Sequence, residues 1–465
     1  MKKKKDQTVH PYIPNSAPYT KAAMMKEIGI KDIDELYEDI PNRLRFQGEM
    51  NIPWAIVPEQ ELKREINRIL AKNSSCEENI SFLGGGAARH YIPAICDEIV
   101  ERAEFLTAYA GEPYEDHGRF QALFEYESLM AELLDMDVVN VPTYDWGQAA
   151  STSIRMAGRI TKKDEMIVSE AISPDRMKIL KNYCEPVMKI TEVKHDPITG
   201  KLDVDDLKLK IQHGIAGVYF ENPTYFGVIQ DHGKLIADMI HRQGGVVVVG
   251  TDPVSLGVLT PPSGYGADIV CGDIQGLGNH LYMGGALGGF IATRDEEKYV
   301  MEFPSRLFGI CKTSVEGEWG FGDVAYDRTS FGVRERGKEF IGTAAALYGI
   351  SAAVYLSLMG PKGMYELGQH LLQKAGYTIK KLEQIPGISV RFQSAHFKEF
   401  VVDFSGTGKT VSEINQILLK KKIFGGKALQ DDFPVLKDCA LYCVTEMLSK
   451  DDIDVLIAAL DEALT

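Results

Sequence analysis

The central part of the chain, residues 138–300, alternates short apolar runs with segments whose apolar positions recur every three or four residues. The runs that we interpret as strands are VVNVP, EMIVSEA, AGVYFENP, GVVVVGTD and ADIVCGD. Four consecutive valines in one of them are typical of a strand buried on both faces of a parallel sheet. The segments between the runs are typical of helices packed on such a sheet. The alternation predicts an α/β fold with a mainly parallel, doubly wound sheet.

Polar residues follow several of the predicted strands directly. Tyr144–Gln148, Asn222–Pro223 and Asp252 each stand just beyond the carboxyl end of an apolar run. Right-handed crossovers bring the carboxyl ends of parallel strands to the same sheet edge, which is where open α/β sheets bind ligands. We therefore expect these three segments to converge.

The flanks of the chain have a different pattern. Residues 1–80 contain short amphipathic segments separated by proline and glycine, which predict an N-terminal helical arm. After residue 330, an Ala- and Leu-rich helical region precedes short strands and a closing helix, which predicts a small α+β domain. The predicted domains are an arm at 1–80, a large α/β domain at 81–330 and a small C-terminal domain at 331–465.

Composition narrows the classes of function. A net charge of −15 over 465 residues argues against nucleic acid as a partner. The absence of a long apolar run argues against a membrane span, and MKKKK lacks the apolar segment of a signal peptide. Seven scattered cysteines form no CxxC pair and show no metal-ligand spacing. We expect reduced thiols, no metal site and a cytoplasmic location.

One stretch suggests a cofactor pocket whose covalent anchor is missing. Asp252 follows the strand of four valines, and a second short apolar strand, residues 267–270, leads into a glycine-rich segment. In pyridoxal-phosphate (PLP) enzymes of fold type I, an aspartate after the first strand holds the pyridine nitrogen, and a lysine after the second forms the Schiff base. No lysine lies between Lys234 and Lys298. The sequence predicts the frame of a PLP pocket without its Schiff-base lysine; that Lys234 or Lys298 folds back into the pocket remains a minor alternative.

Several phrases occur in the order seen in one family: IDELYEDIP, FLGGGAARHYIPA, QALFEYESLMAELLDMDV, ENPTYFGVIQD and GADIVCGDIQGLGN. Over most of its length the chain resembles the α-type, N-terminal subunit of two-chain glycine decarboxylase, the P-protein of the glycine cleavage system. The resemblance implies a fold-type I PLP-transferase fold. It also implies a heterotetramer with a β subunit that carries the PLP lysine. The complex would decarboxylate glycine and transfer the aminomethyl group to the lipoyl group of the H-protein, its carrier.

The resemblance also assigns residues. Gln275–Gly276 stand where the β chain carries His-Lys, so no catalytic residue is expected in this chain. The candidates for a vestigial cofactor site are Asp252, Asn222 and Gln275, and the candidates for a subunit interface or substrate channel are Arg89, His90, Tyr91, Tyr144 and His280. Ordinary structural roles compete with each assignment: Asp252 as a loop cap, Asn222–Pro223 as a turn, and Asp145 as a helix cap that opposes a phosphate.

The chain departs from the family in three places, namely residues 84–90, Trp146 and the region 294–345. These departures leave two further hypotheses open. One is the α subunit of a related PLP complex that acts on a different amino acid or amine. The other is a PLP-free scaffold or regulatory protein.

Overall fold

The computed structural model describes residues 9–10, 12–48, 50–53, 55–105, 117–211, 214–281, 287–339, 341 and 345–464. The described residues form two compact units, one ending at Asn73 and one beginning at Ser74. None of the described helices is both long and apolar enough to cross a membrane.

Helices and strands alternate through the middle of the chain. The helices are α1 (Pro18–Ile28), α2 (Glu59–Leu70), α3 (Ala94–Val100), α4 (His117–Leu134), α5 (Trp146–Thr161), α6 (Pro174–Cys184), α7 (Val204–Lys210), α8 (Gly233–His241), α9 (Glu297–Val300), α10 (Ala346–Leu382), α11 (Val411–Lys420) and α12 (Lys450–Leu464). The strands are β1 (Ile80–Ser81), β2 (Val138–Val139), β3 (Thr143–Asp145), β4 (Glu165–Ser169), β5 (Lys189–Val193), β6 (Ile215–Glu221), β7 (Val246–Gly250), β8 (Ile269–Asp273), β9 (Leu287–Thr293), β10 (Phe308–Lys312), β11 (Trp319–Asp323), β12 (Ser389–Val390), β13 (Glu399–Asp403), β14 (Ile423–Phe424), β15 (Lys427–Ala428) and β16 (Cys439–Cys443).

The N-terminal unit has almost no interior of its own. Among its described residues only Ala17 is buried. Its short 3₁₀ helix Ile33–Tyr37 starts with a capping box, in which Asp32 and Glu35 satisfy each other's backbone amides. Local hydrogen bonds rather than burial therefore support the segments of this unit.

The large sheet of the second unit has the strand order β2-β9-β8-β7-β6-β4-β5, and β3 also pairs with β9. Five neighbouring strands are parallel to one another, namely β4, β5, β6, β7 and β8, whereas β9 is antiparallel to β8, β2 and β3. The predicted mainly parallel sheet is confirmed.

Helices cover both faces of this sheet. In β7, Val247 and Val249 pack in a core cluster with residues of α4, α8 and α10, while Val246 and Val248 pack in another with residues of α5 and α6. Alternate residues of a strand point to opposite faces, so four adjacent valines fill both cores. The run is apolar throughout because neither face meets water.

A second sheet lies near the carboxyl end of the chain, with the order β12-β13-β16-β15 and antiparallel pairing. Helix α10 leads into it and has a kink at Gly360. The short strand β1 pairs with β14, so residues just after the N-terminal unit join the C-terminal part of the protein. The proposed domain boundary near residue 330 stays a prediction.

The region 294–345 contains an antiparallel hairpin, formed by β10 and β11. The aromatic side chain of Trp319 is 56% exposed on it. This hairpin was not predicted, because its glycine-rich strands, FGICK and WGFGD, lack a sustained apolar alternation.

Candidate functional site

The candidate site is a cavity at the carboxyl ends of three adjacent parallel strands. Glu221 ends β6, Asp273 ends β8, and Asp252 follows β7 by two residues. All three carboxylates line the cavity, together with Lys398 and Glu399 from the C-terminal sheet. The volume is about 40 Å³, enough for a few water molecules. Trp146 and Pro223 line it too, so the predicted convergence of the strand-end loops is confirmed.

An ion pair fills the centre of the cavity. The Lys398 ammonium lies 2.6 Å from Asp252 Oδ2, and the two side chains are only 13% and 18% exposed. The other oxygen, Oδ1, accepts a hydrogen bond from the Val254 amide at 3.0 Å. Burial works against both charges, but the attraction outweighs it: the pKa of Asp252 is lowered and that of Lys398 is raised. The pair is therefore ionised at neutral pH.

His90 extends the pair into a chain of hydrogen bonds. Its Nε2 lies 2.9 Å from Lys398 Nζ, and its Nδ1 lies 3.0 Å from a carboxylate oxygen of Glu446. An ammonium can only donate, so Nε2 must accept and Nδ1 must carry the proton that it donates to Glu446. Although burial raises the pKa of Glu446, the hydrogen bond from His90 brings it down to about 2.

A second buried ion pair forms one wall. Arg176 of α6 donates to both carboxylate oxygens of Glu221, from Nε at 2.7 Å and from a terminal nitrogen at 2.8 Å. Its guanidinium lies 4.0 Å from the ring centre of Trp146. Tyr219 completes the wall by donating to Glu221 at 2.9 Å and accepting from the Trp146 indole at 3.1 Å. These side chains satisfy one another, which leaves little free hydrogen-bonding capacity on this wall.

The pKa of the Asp273 carboxyl group, which also lines the cavity, is raised far above its usual range. The carboxyl group accepts a hydrogen bond from the Gln275 amide at 2.9 Å, and no cation among the described residues forms an ion pair with it. Burial raises the pKa of Asp273 to about 7, and the neighbouring Asp252 charge adds to the rise. The carboxyl therefore changes its charge near neutral pH.

The glycine-rich turn before His90 holds a carboxylate. Gly85 and Gly86 have φ values of +137° and +83°, which glycine adopts readily. Their amides donate to one oxygen of Glu399 at 2.7 and 3.1 Å. Two successive amides aimed at one point form an anion-binding concavity, and here the protein's own side chain occupies it.

At the position of the expected lysine, Gly276 is closely surrounded. A Cβ built there would lie 2.9 Å from Val254 Cγ2 and 3.4 Å from a carbon of the His90 ring. The preceding Gln275 is buried, and its side-chain amide donates to the Asn279 carbonyl. A side chain at residue 276 would therefore require Val254 to shift.

The amino end of α5 is capped from within the chain. The Asp145 carboxylate accepts a hydrogen bond from the Gln148 amide at 2.7 Å. A carboxylate at a helix N-terminus stabilises the helix and repels a phosphate. The predicted capping role of Asp145 is confirmed.

The residues around the cavity do not fit PLP. The pyridinium partner Asp252 is paired with Lys398, α5 presents a carboxylate where a phosphate would need amides, and the Schiff-base position is Gly276. A cavity of about 40 Å³ is far smaller than a small-molecule pocket, typically about 300–1,000 Å³. The described residues also include no group of three or more His, Cys, Asp or Glu side chains placed to hold a metal ion.

The remaining predicted residues lie at different distances from the cavity. Asn222 is buried in a turn, where it accepts from the Gln230 amide, while Tyr91 and Tyr144 are 61% and 51% exposed. Arg89 donates to the Cys76 carbonyl beside a separate groove, and exposed His280 pairs with Asp97. Their assignment to an interface or channel stays a prediction.

Sequence reasoning missed Lys398, although it asked whether a distant lysine enters the pocket. Lys234 and Lys298 both lie at the surface, where they pair with Asp238 and Glu296. Lys398 directly precedes strand β13, in KEFVVDF. A lysine at the start of a strand is ordinarily exposed, so no local signal distinguishes this one.

Comparisons with known proteins agree with this architecture. The family model described as glycine cleavage system P-protein matches residues 10–460. A protein of Thermococcus onnurineus, named probable glycine dehydrogenase (decarboxylating) subunit 1, is 38% identical over 97% of this chain and 99% of its own length. A protein of the same name from Pyrococcus furiosus is 39% identical, again over 97% and 99%.

Solved structures give the same result. A crystal structure of glycine decarboxylase (P-protein) of the glycine cleavage system, in inhibitor-bound form, superimposes with a TM-score of 0.83 at 28% identity, covering 98% of this chain and all of that one. A sphingosine-1-phosphate lyase from Burkholderia pseudomallei, at a TM-score of 0.63 and 13% identity over 91% and 94% of the two chains, shares the fold alone. The predicted fold-type I architecture is confirmed, and the chain belongs to the glycine cleavage system P-protein family.

Proposed function

We propose that the chain is the α subunit of a glycine decarboxylase complex and contributes no Schiff-base lysine to it. The complex decarboxylates glycine and transfers the aminomethyl group to the lipoyl group of the H-protein. The observation that carries the proposal is the combination of a full-length match to proteins named subunit 1 with glycine at the lysine position. The occupied cavity agrees with it, since the residues around Asp252 leave no room for a cofactor.

The proposed partner is a PLP-bearing β subunit, in a heterotetramer of two α and two β chains. The N-terminal unit supports an obligate partner because it leaves large apolar side chains in water: Tyr12, Tyr19 and Phe46 are 97%, 80% and 71% exposed. In helix α2, Leu62 and Ile66 lie one turn apart and are both 45% exposed. Surfaces of this kind are typical of contacts between subunits.

Tyr91 and Tyr144 are the side chains that we assign to the partner's active-site entrance. Both tyrosines are exposed, but a residue close to each in sequence reaches the interior. His90, next to Tyr91, contacts Lys398, and Trp146, two residues after Tyr144, lines the cavity. The cavity residues thereby fix the positions of both tyrosines. Arg89 and His280 are assigned to the same face.

We place the complex in the cytoplasm. All seven cysteines are free, and Cys311 is exposed while most of the others are buried. An exposed unpaired thiol is typical of a reducing compartment.

Reconstitution tests the proposed function. The full chain would be mixed with a lysine-bearing homologue from the same source and with lipoylated H-protein, and glycine-dependent exchange of labelled CO₂ would be measured. We expect exchange from the mixture and at most a small fraction of it from either chain alone. Faster exchange with a different amino acid would contradict the assigned substrate, and undiminished exchange without this chain would contradict its role as a subunit.

A further inference from the structure

Two consecutive residues, Lys398 and Glu399, enter the cavity at the edge of the large sheet, and Glu399 is the first residue of strand β13. Their backbone is fixed there by its neighbours: Phe397 donates its amide to the Gly227 carbonyl, and His396 pairs with Val228. The contacts of these two charged side chains indicate their role.

The ammonium of Lys398 binds the group that would hold a cofactor's pyridinium. Its nitrogen lies 2.6 Å from Asp252 and 2.9 Å from His90. An aspartate is the usual partner of the PLP ring nitrogen, and it needs a cation. A buried carboxylate without one would be strongly destabilising.

The carboxylate of Glu399 occupies a second ligand-like position. It accepts from the amides of Gly85 and Gly86, whose positive φ values favour glycine, and a Cβ on the preceding Gly84 would lie 2.8 Å from the Leu441 carbonyl oxygen. Amide pairs of this kind bind anions in many proteins. One cationic and one anionic side chain thus fill two sites that could otherwise receive a small charged molecule.

We propose that Lys398 and Glu399 act as an internal ligand of the remnant cofactor pocket: the ammonium takes the place of the pyridinium on Asp252, the carboxylate binds the glycine amides, and together they fasten the C-terminal sheet to the edge of the large sheet. Exclusion of PLP then rests on occupancy as well as on the glycine at residue 276. This goes beyond the proposed function, because it concerns the folded chain whether or not a decarboxylase complex assembles on it.

Chemical rescue tests the proposal. The Lys398→Ala variant of the full chain leaves Asp252 without its cation and opens a space of the size of a three-carbon amine. We expect n-propylammonium chloride to raise the thermal unfolding midpoint of this variant by about 2 °C or more in a concentration-dependent manner, since a ligand that binds only the folded state stabilises it. Equal concentrations of sodium chloride or 1-propanol should not, and the wild-type chain should not respond to the amine.

Two control variants sharpen the result. Lys234→Ala removes an exposed lysine that pairs with Asp238 at 2.5 Å on the surface, and its midpoint should neither fall by more than about 2 °C nor respond to propylammonium. Adding Asp252→Asn to Lys398→Ala removes the anion, so the response to the amine should vanish. Absence of amine rescue in Lys398→Ala, or equal rescue after Asp252→Asn, would overturn the proposal.

A second measurement tests the proposal even if the Lys398→Ala variant does not fold. Lys398→Met and Asp252→Asn each leave one buried charge alone, whereas the double variant is free of charge at similar volume. We expect each single variant to lose about 3 °C or more, or to be insoluble, and the double variant to lie within about 2 °C of the wild type. A double variant that loses the sum of the two single losses would show that the residues do not act as ligand and receptor. None of these readouts depends on glycine decarboxylation, so a failed reconstitution and a failed rescue are distinguishable.

Discussion

Replacing Asp273 with asparagine should stabilise the protein, and by more at alkaline than at acidic pH. The carboxyl is buried at the end of β8, and burial raises its pKa from 3.8 to about 7. Between these values the folded state holds a proton that the unfolded state has released, so the wild-type protein loses stability as pH rises. Asparagine has no such proton and can still accept the hydrogen bond from the Gln275 amide.

The size of the expected pH dependence follows from the shift in the pKa of Asp273. From pH 5 to the folded-state pKa of about 7 the wild-type penalty grows by about 3 kcal/mol, at 1.36 kcal/mol per pH unit, and above pH 7 it is constant. The stabilisation by Asp273→Asn should therefore be larger at pH 8.5 than at pH 5 by about 3 kcal/mol.

Urea unfolding at the two pH values measures this difference, with the fluorescence of Trp146 as a probe in the wall of the same cavity. Asp196→Asn is the matched control: hydrogen bonds from Thr199 lower the pKa of Asp196, so it is ionised throughout the window and its replacement should have the same effect at pH 5 and pH 8.5. An effect of Asp273→Asn that is equal at both pH values would refute the buried, protonated carboxyl.

Three further outcomes are expected. Arg176→Met leaves Glu221 buried without its cation and should lower the free energy of unfolding by about 3–5 kcal/mol. The double variant Arg176→Met with Glu221→Gln should recover most of this loss. Equal losses in the single and the double variant would contradict the pairing. Gly276→Lys should yield no borohydride-stable pyridoxyl adduct at that residue when the chain alone is incubated with PLP, because the cavity is filled; mass spectrometry of its peptides decides it. Tyr91→Ala should weaken binding of the β subunit about tenfold or more in a pull-down titration, whereas Tyr365→Ala, also an exposed tyrosine, should not, and equal affinities would remove Tyr91 from the interface.

The parts of the fold that follow from local pattern were predictable. The five apolar runs that we interpreted as strands are observed as β2, β4, β6, β7 and β8. The four valines of β7 indicated burial on both faces, which the structure shows. These signals are strong because an apolar run or a periodic stripe reflects burial directly.

The contents of the cavity were predictable only in part. Asp252 is identified by its place after an apolar strand, and Gly276 by the resemblance to the family. The cation on Asp252 comes from Lys398, which lies 146 positions further along the chain, and Glu399 binds Gly85 across 314 positions. Pairings between distant segments depend on how the two sheets pack, and residue pattern near either partner does not encode that.

The central claim is that the reactive lysine belongs to a partner subunit and that this chain lends none. Borohydride reduction of the assembled, PLP-loaded complex, followed by peptide mapping, tests it most directly. We expect every pyridoxyl adduct to lie on the partner chain. An adduct on a lysine of this chain, Lys398 included, would contradict it.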